Sequence, residues 1–316
     1  MLRLIKINLR LRIFSPLFLL GCGAALTVGI VSGRQVAYVG TLHMTPTPLF
    51  AALITAVISA VFGIGDEFAF GTVRNKLICG VNKPIFYLSQ LTASLIMGVI
   101  FFLLAEVPYF LMGYGSFFGK LFTAELLVRG GVLLGTAMLF CTAIAVFICF
   151  IVRNRAASLI VCTAAAAGLA LSAVSLSRSL RYSEYEIIPV QELRFNPDLG
   201  EDDLVTVDEK TVLREEYVRE PVRTVMYTAL KLDPVSSIMS ALDIIRADEF
   251  EIDVRSLEKI EAECEKLRTG IGRFKKDADY IRDSLVNSVY YPLWSGGAVI
   301  LLNVIGVLIF KKRDIS

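Results

Sequence analysis

Residues 65–84 read GDEFAFGTVRNKLICGVNKP, a charged and glycine-marked stretch set between two strongly apolar runs. It carries Asp66, Glu67, Arg74, Lys76 and Lys83, and it closes on Pro84. The flanking runs, near 48–65 and 86–113, are long enough to cross a hydrocarbon core of roughly 30 Å, which takes about 20 helical residues. Four further runs of that kind lie near 13–33, 130–151, 157–177 and 290–310. The first follows Arg10 and Arg12, carries Pro16 in its outer turn and ends without a small-residue cleavage site, so it reads as a retained span.

Composition leads to the same place. The chain has 316 residues, 55% of them hydrophobic, with a mean hydropathy of +0.64. A soluble domain of that length cannot bury so much apolar surface, and the excess has to face lipid. Charge is segregated along the chain. Of the 30 acidic residues, 25 fall in 178–288 beside 17 basic ones, giving that segment a net charge of −8. This pattern does not suggest a nucleic acid partner.

Basic residues in the short connections set an expected orientation. The N-terminus, the 65–84 stretch, the turn near 153 and the C-terminus hold twelve, against three (Arg34, Lys120, Arg129) in the alternate loops. The asymmetry places both termini and 65–84 in the cytoplasm of a plasma membrane and 178–288 outside. The expected fold is therefore mainly α and polytopic, with six transmembrane helices and a helical, α+β extracytoplasmic domain between helices five and six. Its parts are 1–177, 178–288 and 289–316.

Within 65–84 the spacing predicts a short interfacial helix. Thr72 would cap it, Val73, Leu77 and Ile78 would share a side, Gly80 would stop it and Pro84 would part it from the next span. Glu67, Gly71-Thr72, Arg74, Lys76-Leu77, Gly80 and Lys83 resemble the E-x3-GT-x-R-x-KL-x2-G-x2-(R/K) segment of ABC-2 type transporter permeases. The resemblance extends to the six-span plan, the basic N-terminal helix and the Lys-Lys-Arg tail, covering about two thirds of the chain. It implies that those eight residues form or flank a coupling helix for a separate cytoplasmic ABC ATPase, which would hold ATP and Mg. It also implies a permease homodimer or heterodimer in the bilayer, acting as an exporter, with Arg74 and Lys76 touching the ATPase and Leu77 anchoring in its groove. The expected chain is no enzyme itself. The nearest phosphate-loop lookalike, GYGSFFGKL at 113–121, lacks the required spacing and has Leu121 where a hydroxyl is needed.

Elsewhere, YEIIPVQELRF and DLVTV read as strands separated by NPDLGEDD, which reads as a solvated turn rather than a calcium loop. Asp233-Pro234 reads as a helix start, with Val235, Ile238, Met239, Leu242 and Ile245 on one face. From Leu257 to Leu285 apolar residues alternate spacings of three and four, an a/d stripe over four heptads. Such a helix standing on the last span is what a mechanotransmitter would need, a device that moves its outer domain without passing substrate. Cys264 is the lone thiol of that segment, and His43, the only histidine, reads as a surface residue. Glu106 lies inside the third span just before Pro108. A carboxylate facing lipid costs roughly 2–3 kcal/mol or more, so it should face protein or a water-filled translocation path.

Topology is directly testable. An impermeant thiol reagent applied to intact cells should label Cys264 and leave Cys79 unmodified; labelling of Cys79 alone would reverse the orientation.

Overall fold

The computed structural model describes residues 1–39, 47–117, 124–180, 185–196, 201–213, 217–238 and 290–312. The heptad stripe, Met239, Leu242, Ile245, Cys264 and His43 lie outside them, as do residues 118–121 of the phosphate-loop lookalike. The helices are α1 (Leu2–Ile13), α2 (Pro16–Val39), α3 (Thr47–Ala69), α4 (Thr72–Ile78), α5 (Lys83–Phe117), α6 (Ala124–Val152), α7 (Arg155–Leu180), α8 (Val222–Leu232) and α9 (Tyr290–Lys312). Strands β1 (Tyr185–Asn196) and β2 (Glu201–Leu213) form an antiparallel hairpin between α7 and α8.

Among the described residues, six helices (α2, α3, α5, α6, α7 and α9) are long and apolar enough to cross a membrane. The chain is a multi-pass membrane protein, and these spans follow the expected ones closely. The first differs in how it starts. Pro16 is the first residue of α2, and the preceding Ser15 caps it, its Oγ accepting the Phe18 N–H at 3.2 Å. Serine followed by proline is a favourable helix start because proline has no N–H to satisfy there. The break separates α1 from α2.

α2 and α5 cross in close backbone contact. Gly21, Ala25, Gly29 and Gly33 recur every four residues and so line one face of α2. Ala25 is fully buried there. A Cβ on Gly29 would run into the backbone carbonyl of Ala105, and one on Gly33 would come within 2.7 Å of the Tyr109 carbonyl. Small residues let membrane helices approach to backbone contact, where dispersion holds them without help from the hydrophobic effect.

Two buried clusters fill the bundle. One, built on Phe18, Ala25, Leu49, Met97, Phe101, Tyr109, Met138 and Ala173, runs from Phe18, with Leu9 and Ile13 of α1 packed against it, to Val235 and Ile238. The other lies toward α4 and joins Val61, Ile64, Val73, Phe86, Tyr87, Val146, Phe150 and Phe310. Its centre is aromatic: Tyr87 and Phe310 rings lie 4.4 and 4.9 Å from Phe150, with Phe68 and Phe86 within 5.9 Å. The Tyr87 hydroxyl donates to Asn303 Oδ1 at 2.7 Å, tying α5 to α9.

Residues 178–238 only partly match the expectation. Both strands form, but Glu201–Asp203 begin β2 and pair with Arg194–Asn196 instead of widening the turn. Asp233 plays two parts. It ends α8, and its Oδ1 accepts the Val235 N–H at 2.9 Å, capping the turn that begins at Pro234 as the sequence predicts. Its Oδ2 accepts the hydroxyl of Ser172 on α7 at 2.6 Å.

The α2–α5 crossing yields a prediction. Gly29→Leu should destabilise the protein by about 1–3 kcal/mol or more, since the obstruction is backbone and cannot rotate away. Gly23→Leu, on the same helix with open space around it, should be neutral. Thermal unfolding in detergent separates the two.

Candidate functional site

The turn from α3 into α4 is made by Gly71, which sits at φ +66° as the cap residue. This corrects the expectation that Thr72 caps α4. The chain must pass through a left-handed residue that glycine alone accepts cheaply, so the helix begins at Thr72 itself. The Thr72 hydroxyl turns back and donates to the Glu67 carbonyl at 3.0 Å. At the other end Gly80, at φ +91°, stops the helix as expected: its N–H reaches the Leu77 carbonyl, and that of Val81 reaches the Lys76 carbonyl, at 3.0 and 3.1 Å. These two bonds satisfy the Leu77 and Lys76 carbonyls in the last turn of α4.

α4 is seven residues long and pinned on one side. Val73 is buried in the aromatic cluster, and Leu77 and Val81 pack partly against it. Ile78 does not join that side as the spacing predicted; it is 73% exposed, because five residues of helix carry it about 140° around from Val73. Arg74 and Cys79 are exposed as well. The outward surface of α4 therefore presents Arg74 and Ile78, and Leu77 belongs mostly to the chain's own packing.

Glu67 and Lys76 face inward. Glu67 Oε1 accepts from Lys76 Nζ and from Gln90 Nε2, both at 2.7 Å. Gln90 Oε1 in turn accepts from Arg12 Nη2 at 2.6 Å, while Arg12 Nη1 donates to Ser94 Oγ at 2.7 Å. One amide thus joins an anion to a cation, using its donor on the first and its acceptor on the second. Arg12 is 7% exposed, and it reaches α5 by crossing α3 at Gly63, where a Cβ would lie 2.5 Å from its Nε. Burial draws the guanidinium below its ordinary value, to about 10, with the Glu67 charge opposing the shift; it stays cationic at neutral pH. Asn8 adds longer contacts, at 3.4 Å, to Ser89 and to Lys76 Nζ.

The same end gathers the other basic loops. Arg155 pairs with Asp66 at 2.8 Å, Arg153 stacks over Phe68 and Phe310, and Lys83 Nζ donates to the Lys311 carbonyl at 3.4 Å. Beside the network, a cleft of about 600 Å³ opens between α1, α2, α3 and α4, its polar floor including Asn8, Arg12, Glu67 and Lys76. All eight residues expected for coupling therefore lie on or around one short helix. Glu106 does not. It is 4% exposed in α5, 16 residues beyond Gln90, which is roughly 24 Å of helix.

Sequence reasoning passed over Asn8, Gln90 and Ser94 and counted Arg12 only as a topology signal. The available clue was a glutamine and a serine four residues apart inside an apolar span, where polar groups need protein partners. Among the described residues, no group of three or more His, Cys, Asp or Glu is placed to hold a metal. No protein-family model and no curated protein matches this chain.

Replacing Gln90 with Leu removes a hydrogen bond from each of two charged groups, and such bonds contribute about 1.5–3 kcal/mol apiece. Gln90→Leu should therefore lower the thermal unfolding midpoint clearly in detergent. An unchanged midpoint would show that the bridge carries no weight.

Proposed function

We propose that this chain is the membrane-spanning permease subunit of an ATP-driven ABC-2 type transporter, an exporter, with a separate cytoplasmic ABC ATPase docking on α4. The observation that carries the reading is the build of α4 itself: a surface helix clamped to the bundle on its inner side by Val73, Leu77 and the Glu67–Lys76 pair, with Arg74 and Ile78 left outward. A helix held in that way moves with α3 and α5 when pushed, so force applied at its outer surface reaches two spans directly. ATP and Mg would reside on the partner, and two permease copies would enclose the path, with Glu106 a candidate lining residue. In this reading both termini are cytoplasmic and 178–288 forms an extracytoplasmic domain of a plasma-membrane protein.

A second reading has its own support. The segment after the hairpin is anchored to the bundle, since α8 packs on α7 and α9 and Asp233 binds Ser172. Motion of α7 would thus pull on 217–238, as a mechanotransmitter requires. Substrate-dependent ATPase activity in proteoliposomes separates transport from pure mechanical output.

The docking surface is tested with Arg74→Glu and Ile78→Asp, whose side chains lie outside the packed interior. Both variants should insert and melt like the native chain yet lose ATPase co-purification about 30-fold, the effect of removing one strong contact at a small interface. Leu77→Asp, by contrast, should also destabilise the bundle. Normal assembly and normal coupled hydrolysis in the two outward variants would sink the proposal.

A further inference from the structure

The sides of α1 have different chemistry. At 100° per residue, Arg3, Lys6 and Arg10 fall within an arc of about 60°, all exposed. Ile7, Leu11 and Phe14 occupy the adjoining arc and are 50, 65 and 77% exposed. Asn8 and Arg12 point the other way, into the bundle. The chain has no acidic residue before Asp66, and the nearby carboxylates, Asp66 and Glu67, are engaged by Arg155 and by Lys76 and Gln90. The outer basic strip therefore has no counter-charge on its own helix.

We propose that α1 is a seat for anionic phospholipid, and that lipid charge sets how firmly α1 holds α4 in place. The occupant follows from the two arcs together. A negatively charged bilayer surface satisfies Arg3, Lys6 and Arg10 at headgroup level and buries Ile7, Leu11 and Phe14 in the acyl boundary beside them. A soluble acidic partner would answer the charges and leave the three apolar side chains in water. Position supports the same choice. The membrane-spanning α2 begins at Pro16, three residues after α1 ends, so α1 packs on the bundle at the level where the first span enters the hydrocarbon. The consequence runs through the inner side. Asn8 contacts Ser89 and receives Lys76 Nζ, and Arg12 binds Gln90 and Ser94, so seating α1 more firmly orders the support beneath α4.

The test uses the full chain alone, without any ATPase, in nanodiscs of phosphatidylcholine with or without phosphatidylglycerol. Hydrogen exchange is followed by mass spectrometry in residues 2–13 and 72–78. Phosphatidylglycerol should slow exchange in both segments by on the order of tenfold. The combined variant Arg3→Gln, Lys6→Gln, Arg10→Gln should lose that difference, and Arg3→Lys with Arg10→Lys should keep it. High salt should remove it from the native chain, since the charges are exposed and screened. If the combined variant fails to fold, the salt dependence of the native chain decides. Equal exchange in the two lipids, slowing in residues 2–13 alone, or an effect that survives neutralisation or high salt would each overturn the proposal. The outcome is independent of whether an ATPase docks on α4.

Discussion

The guanidinium of Arg12 passes over α3 at Gly63 and is taken up by Gln90 and Ser94 on α5. A cation so nearly excluded from water has to find its solvation in protein, and the residues that supply it fix the surrounding helices. The amide nitrogen of Gln90, buried with it, needs an acceptor of its own, and Glu67 provides one. Glu67 in turn fixes Lys76 and so orients α4. The chain of contacts joins α1, α5, α3 and α4 in that order, and removing any member leaves a charged or polar group short of a partner.

The remainder of the bundle is held by shape. Along α2 the small residues at four-residue spacing bring its backbone against α5, while near α4 an aromatic cluster around Phe150 locks α5, α6 and α9 together. The two devices suit their depths. Backbone contact between spans works in lipid, where burying apolar side chains gains little, and the rings around Phe150 add edge-on and tilted aromatic contacts between α5, α6 and α9. α7 shares least in this packing, with Ile160, Leu171 and Val174 among its exposed residues.

In the proposed role the two ends of the molecule do different things. α4 receives force and passes it to α3 through the Glu67–Lys76 pair and to the aromatic cluster through Val73 and Leu77. At the far end, Asp233 ties the segment beyond the hairpin to α7, and Val235 and Ile238 enter the interior cluster. A push at α4 and a pull at Asp233 therefore act on one continuous bundle. Both the transporter and the mechanical reading draw on that continuity, and they part over whether Glu106 lines a path.

The sequence by itself determined the spans and the punctuation of 65–84. Hydropathy over some twenty residues is a local sum, and every expected span reappears within a few residues. Gly80 as a stop and Asp233 as a cap are likewise set by backbone chemistry that a few neighbours decide. Only the tertiary structure decided what each polar residue faces. Glu67, Lys76 and Leu77 looked available to a partner, yet the first two close a network with Arg12 and Gln90 and the third packs inward, leaving Arg74 and Ile78 outside. The bonds that bring Arg12 to Gln90 and Ser94 join residues about 80 positions apart in sequence, and no periodicity within one helix records which side a neighbouring helix will cover.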